Sequence, residues 1–209
     1  MTLLFILPVV ACLVLWHYFW AGRRAAWASV TCALTGHDLA RKIAPNHEIT
    51  VVRRPVPWPE KSLTLALTLD QLEARDAASL GIIAQQAGLR LVMDERPDLG
   101  KRRRGTLRFG AVAPAFALVI ATMGTLVGRI PFGWAILAVA AVTGFAAVMN
   151  ILSLAIELQA AARVRKILSD TRLFPRLAEE EAVAEAATGA AWRSVVPAGI
   201  AWCLPKASL

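Results

Sequence analysis

Three stretches of this sequence carry no Asp, Glu, Lys or Arg: residues 2–22, 109–128 and 130–156. Within the first, Leu3–Trp20 alone would make ~27 Å of helix, close to the ~30 Å hydrocarbon core of a bilayer. A chain organised around such runs is expected to be an integral membrane protein. Over all 209 residues the hydrophobic share is 57%, the charged share 18% and the mean hydropathy +0.54. Those values exclude a disordered chain, which would be polar and highly charged, and argue against an ordinary soluble enzyme.

Nothing basic precedes the first run, and Arg23 and Arg24 follow it. A cleaved signal peptide has the opposite arrangement, and basic flanks stay cytoplasmic. Residues 1–22 therefore read as an uncleaved anchor with its N-terminus outside. Trp16, Tyr18 and Trp20 cluster at its inner end, as an interfacial aromatic belt would. Phe109–Val127 reads as a second span and Ile130–Ile156 as a third, with Gly128–Gly133 as the tight external turn of a helical hairpin (residues 109–161). The third run exceeds the core thickness and can tilt or emerge from it. Ser194–Leu204 is apolar but short and contains Pro197. A span over Ala186–Leu204 would hold Arg193 in its interior, which is costly unless the arginine is paired or snorkels. The expected fold is mainly α, with three or four transmembrane or re-entrant helices.

The 23 basic against 15 acidic residues give a net charge of +8. Residues 21–109 hold 15 Lys/Arg against nine Asp/Glu, and residues 163–176 add five more basic side chains. The external turn holds one. This asymmetry follows the positive-inside rule, so the surplus is topological and needs no nucleic acid. The expected location is a bacterial cytoplasmic membrane, with the main polar segment cytoplasmic. Lys101, Arg102, Arg103 and Arg104, with Arg108, abut the second span. They read either as a site for anionic lipid headgroups or as a topology signal with no specific lipid. Cys12, Cys32 and Cys203 are scattered and odd in number, which indicates no disulfide framework.

Residues 23–108 are too many for a plain loop and form the cytoplasmic α+β segment of this reading. Thr35-Gly-His-Asp38 has the form of a capping box opening a helix to about Ala44. Glu48–Arg54 reads as a strand, broken by Pro55-Val-Pro-Trp-Pro59. Ser62–Leu69 alternates at period two, a half-buried strand signal, and the two suggest a hairpin. Asp76 can cap a helix over Ala77–Met93, and Asp98-Leu-Gly100 is expected to break the chain. After the third span a basic helix continues over Ala162–Leu168, and Leu177–Ala187 is a helix with Glu179–Glu181 near its N-terminus, where the dipole favours anions. Residues 162–209 thus comprise cytoplasmic helices and the C-terminal apolar segment.

In order, these features resemble the neutral zinc metallopeptidases of bacterial membranes. Leu34-Thr35-Gly36 with Ala40, Arg41 and Ile43 matches the family's opening block, and LTLALTL its strand. Gly81-Ile-Ile-Ala84 and Gly88 match the zinc helix, and Glu157-Leu-Gln-Ala160 with Arg163 matches the motif after the hairpin. The resemblance implies a zinc site of two histidines on one helix, a general-base glutamate between them and a later carboxylate. Where the family has H-E-x-x-H, this chain reads Gln85-Gln86-Ala87-Gly88-Leu89. Of the implied ligands only Glu157 is present, and a catalytic zinc needs three protein ligands plus water. Pro55–Lys61 replaces a longer polar loop. The resemblance therefore implies a pseudoenzyme without metal. Gln85 and Gln86 read as helix-surface polarity, and Glu157 as an interfacial acid paired with Arg163 or another arginine.

His37 and His47 lack metal spacing and read as polar surface. His17, beside Trp16 and Tyr18, could ligate haem or a chlorin, but its boundary position fits the aromatic belt better. Small residues in the spans exceed the needs of one hairpin and suit a second protein. The expected function is a noncatalytic structural subunit of a multi-subunit membrane complex, without cofactor. The alternatives are an active zinc metallopeptidase with a displaced metal site, using His37 or His47 with Glu157, and a pigment- or lipid-binding adaptor. One prediction follows from the resemblance: on the scaffold it implies, Gln85→His, Gln86→Glu and Leu89→His together should assemble a zinc site with Glu157, read as metal content by elemental analysis, whereas the parent should hold none.

Overall fold

The computed structural model describes residues 2–53 and 64–196. Pro55–Lys61, Cys203 and the apolar C-terminal run beyond residue 196 lie outside the described residues. Among the described residues, three helices are long and apolar enough to cross a membrane: Phe5–Ala28, Pro97–Leu126 and Phe132–Thr171. The first joins α1 (Thr2–Trp16), a π-type turn (His17–Ala21) and α2 (Gly22–Ala28) without interruption. α3 (Gly36–Ile43), strands β1 (Glu48–Val51) and β2 (Thr64–Leu67), α4 (Leu69–Glu73) and α5 (Ala77–Glu95) follow. α6 (Pro97–Leu126), α7 (Phe132–Thr171) and α8 (Leu177–Arg193) complete the described chain.

The helix starts follow local chemistry. The Thr35 hydroxyl accepts the Asp38 N–H, and the Asp76 carboxylate accepts the Ser79 N–H. Thr68 and Gln71 exchange side-chain and backbone hydrogen bonds in a full capping box. Pro97 sits in the first turn of α6, where its missing N–H costs nothing. The turn between α6 and α7 closes through Gly128, whose φ of +70° is open to glycine. The Arg129 and Ile130 N–H groups both donate to the Gly124 carbonyl, at 2.9 and 3.0 Å.

Three expectations are corrected. β1 and β2 pair in parallel, Glu48 opposite Thr64 and Val51 opposite Leu67, and so form no hairpin. Parallel strands need a crossover of roughly a dozen residues, and 12 residues separate Val51 from Thr64 in the sequence. The chain breaks at Arg96, and Asp98–Gly100 lies inside α6, because proline is a favoured first-turn residue. The basic run is therefore helical and continuous with the second apolar span. α2 runs through residue 22, α6 through 108 and α7 through 161, the last in keeping with the helix expected over Ala162–Leu168. Finally, Trp16 and Trp20 are buried in the main core with Trp27, and only Tyr18 of the expected belt is exposed.

α5 is the hub. It packs against α8 on one side and α7 on the other, and glycines set both crossings. A Cβ on Gly81 would run into Ala186 and lie 2.7 Å from the Ala187 nitrogen. A Cβ on Gly88 would run into Val164 and lie 2.7 Å from the Ala160 carbonyl oxygen. Leu39, Leu67, Leu80, Ile83, Val164, Leu168 and Val183 fill the core around these crossings. α1 lies against α7, with the Phe5 backbone over Gly144 and the Cys12 thiol 3.8 Å from the Ala147 carbonyl. Gly144 and Ala147 of the third span are thus used by α1 of the same chain.

Gly88 and Gly105 give opposite expectations. Gly88→Ala forces backbone apart and should cost ~1–3 kcal/mol. Gly105 is exposed in α6 with no neighbour within 4 Å of an added Cβ. Gly105→Ala should therefore stabilise by about 0.5–1 kcal/mol through helix propensity. Thermal unfolding of both variants in detergent, against the parent, measures the two signs.

Candidate functional site

α5, α6 and α7 each send one polar side chain to a common point. Glu157 of α7 is 1% exposed, Gln85 of α5 6% and Arg103 of α6 9%. Gln85 Nε2 donates to Glu157 Oε2, and Arg103 Nε donates to Glu157 Oε1. Both carboxylate oxygens are occupied by protein donors. Each contact follows from the rotation of its helix. The buried stripe of α6 runs Gly100, Arg103, Thr106, Gly110, and that of α7 runs Asn150, Ser153, Glu157, both at the i, i+3/i+4 spacing of one helix face.

Below Glu157 the polar seam continues between α6 and α7. The Ser153 hydroxyl donates to the Asn150 carbonyl and the Thr106 hydroxyl to the Arg102 carbonyl, each within its own helix. Asn150 Nδ2 donates to the Val195 carbonyl at 3.4 Å, tying α7 to the end of α8. Its Oδ1 faces Gly110, where an added Cβ would sit 3.5 Å away.

Several expected roles change. Gln85 is not surface polarity: α5 is enclosed on this face, so the amide is buried against Glu157. Gln86 is half-buried one residue on. Leu89 is buried with Val92 and Ala160, with Met93 and Ile156 packed alongside. The partner of Glu157 is Arg103, not Arg163, which pairs instead with Glu95 at 2.8 Å. Arg103 is thereby withdrawn from the five cations read as candidates for lipid headgroups. Lys101, Arg102 and Arg108 are exposed and Arg104 half-buried. His47 is not polar surface either. Its imidazole is buried, with Nε2 2.8 Å from Asp94 Oδ2 but out of line for a hydrogen bond. His37 is 3.8 Å from Asp38. His17 is exposed at the start of the π-type turn, its ring 6.5 Å from that of Trp16.

The donor set does not fit the zinc ion that the resemblance implies. A guanidinium carries positive charge and no lone pair for a metal, Leu89 offers no donor atom, and Glu157 is already doubly bonded. Among the described residues no three His, Cys, Asp or Glu side chains converge on one point. A metal here would have to displace Arg103, so a variant restoring Gln85→His, Gln86→Glu and Leu89→His needs Arg103 replaced as well.

Two further groups have shifted acidities. Burial, with Glu179 and Asp76 adding to it, pushes the Cys32 thiol up to about 11, so it stays protonated and unreactive at neutral pH. Arg193 lies over the Trp20 ring at 5.3 Å, with Arg24 at 6.0 Å from the same ring. Burial, then repulsion from Arg24, lowers the Arg193 guanidinium to about 10. It remains charged and is held by cation–π attraction.

Removing one member of the pair should be costly and removing both should not. Glu157→Gln leaves the Arg103 charge buried and should destabilise by about 3–5 kcal/mol, as should Arg103→Met. The double variant Arg103→Met, Glu157→Leu should recover most of that loss. Thermal melts of the three proteins measure the coupling.

No protein-family model, no curated protein and no solved structure matches this chain, so the reading of the cluster rests on its own geometry.

Proposed function

We propose that this chain is a noncatalytic structural subunit of a larger membrane protein complex, built on an inactivated zinc-metallopeptidase-like scaffold. The observation that carries the reading is the closed Gln85–Glu157–Arg103 cluster. At the positions where the resemblance calls for ligands and a general base, there is an amide, a leucine and a carboxylate neutralised by arginine. Gln86, in the place of the base, is an amide and cannot take a proton from water near neutral pH. What persists is the helix framework that brings α5 to Glu157 at the end of the third apolar run. A framework that keeps its shape without the chemistry acts by binding.

The charge asymmetry supports the placement. With Arg23, Arg24, the Lys101–Arg104 run and the basic stretch of α7 on one side, the positive-inside rule puts that side in the cytoplasm and the N-terminus outside. The host membrane is then a bacterial cytoplasmic membrane. The 40 residues of α7 would extend ~60 Å, about twice the hydrocarbon core. Its second half therefore stands in the cytoplasm, where it receives α5 and α8.

Extraction from the native membrane in a mild detergent, followed by native mass measurement, tests the proposal. The expected result is an assembly well above 22.5 kDa with co-purifying membrane proteins, no stoichiometric zinc and no chelator-sensitive proteolysis. A lone chain would overturn the structural role, and stoichiometric zinc would overturn the loss of chemistry.

A further inference from the structure

A groove of about 490 Å³ lies where α1, α6 and α7 meet, within the size range of small-molecule sites. On α7 its wall runs from Phe132 to Thr143, and on α6 from Leu118 to Leu126. Apart from three threonines, every lining residue is apolar. The Thr125 and Thr143 hydroxyls donate to the Ala121 and Val139 carbonyls of their own helices, each at 2.8 Å. They ask nothing of a ligand, so the groove suits hydrocarbon.

The two ends of the groove differ. At the inner end α1 closes onto α7. Phe5 and Val9 line the groove there, and an added Cβ on Gly144, the residue after Thr143, would lie 3.2 Å from the Phe5 carbonyl carbon. The Cys12 thiol meets the Ala147 carbonyl further along α7. From Phe132 to Thr143 is ~17 Å of helix, about one leaflet of a ~30 Å hydrocarbon core. A partner's transmembrane helix laid in the groove would run into α1 before crossing the other leaflet. An acyl chain ends at mid-bilayer and fits a groove that stops there.

At the outer end is the turn that joins Leu126 to Phe132. It carries Arg129, whose N–H donates to the Gly124 carbonyl at 2.9 Å, beside the lining residue Thr125. Arg129 is exposed and is the only charged residue between Arg108 and Glu157. The flanking acids in the sequence, Asp98 and Glu157, lie some ~40 Å away along α6 and α7, and no residue before Asp38 is acidic. A guanidinium at this level takes its anion from outside the chain, and the phosphate of a lipid headgroup has oxygens that match its fork.

We propose that this groove holds one acyl chain of an anionic phospholipid of the outer leaflet, with the lipid's phosphate on Arg129. The site rests on the membrane placement argued above, but not on the partner complex. Hydrocarbon is no better solvated in a groove than in the bilayer, so retention depends on the fit of the chain and on the phosphate contact together.

The test uses the full chain, purified in detergent and exchanged into mixed phosphatidylglycerol and phosphatidylcholine. Native mass spectrometry should show phosphatidylglycerol retained on the parent in preference to phosphatidylcholine. Arg129→Gln should weaken that retention about fivefold, the weight of one cation at a membrane surface. Ala140→Phe fills the groove from α7 and should abolish retention. Thr122→Phe fills it from the exposed wall of α6 and should do the same, which keeps the test valid if one of the two fails to fold. Leu152→Phe, exposed on α7 outside the groove, should leave retention unchanged. Parent-like retention in folded groove-filling variants would overturn the site, as would an equal loss in Leu152→Phe. Equal retention of both lipids by the parent would overturn the role of Arg129. Groove-filling variants that keep the lipid and lose a co-purifying protein would assign the groove to a partner and overturn the lipid. If the chain leaves the membrane fraction without detergent, the membrane placement fails; if it stays and retains no phosphatidylglycerol, the site alone fails.

Discussion

A carboxylate buried to 1% exposure between three helices costs several kcal/mol in lost hydration, and its partner cation adds a similar penalty. The arrangement persists only when the buried charge is paired and each carboxylate oxygen has a donor. Glu157 meets that condition with one bond from Arg103 and one from Gln85, and the rest of the bundle is constrained by it. Arg103 must face α7, which fixes the rotation of α6. Glu157 must face α5, which fixes the rotation of α7. Once both are set, Thr106, Gly110, Asn150 and Ser153 fall on the same seam.

The second constraint is steric. α5 approaches α8 at Gly81 and α7 at Gly88 so closely that a β-carbon would meet backbone atoms at both. These contacts hold the polar part of the molecule against the extension of α7. The N-terminal helix is anchored into the same core by Trp16, Trp20 and Trp27, and Gly189 admits the Trp27 ring. Glu179 adds a polar tie, accepting the Ala33 N–H at 3.0 Å. The apolar runs and the polar segment thus share one core instead of being joined by a linker. That is why sequence boundaries drawn at 22, 108 and 161 cut through continuous helices.

The corner between α5 and α6 shows how one contact separates residues that are alike in sequence. Five basic residues near the second run look equivalent in sequence. Burial of Arg103 against Glu157 separates it from the others, which keep their exposed or half-buried positions on α6.

The sequence by itself determined the three apolar helices, the caps at Thr35 and Asp76, and the helix that carries Gln85 through Leu89. Each is local: charge-free length, hydroxyl or carboxylate at a helix start, and apolar spacing act within one segment. It also singled out Gln85, Leu89 and Glu157. It did not show that Gln85 is buried on Glu157, that Arg103 completes the cluster, that His47 is enclosed beside Asp94, or that β1 and β2 run in parallel. Those are decided by which helix faces meet and by the path of the chain between strands. Their energies come from desolvation and pairing between segments far apart in sequence, so no single window of residues contains the information.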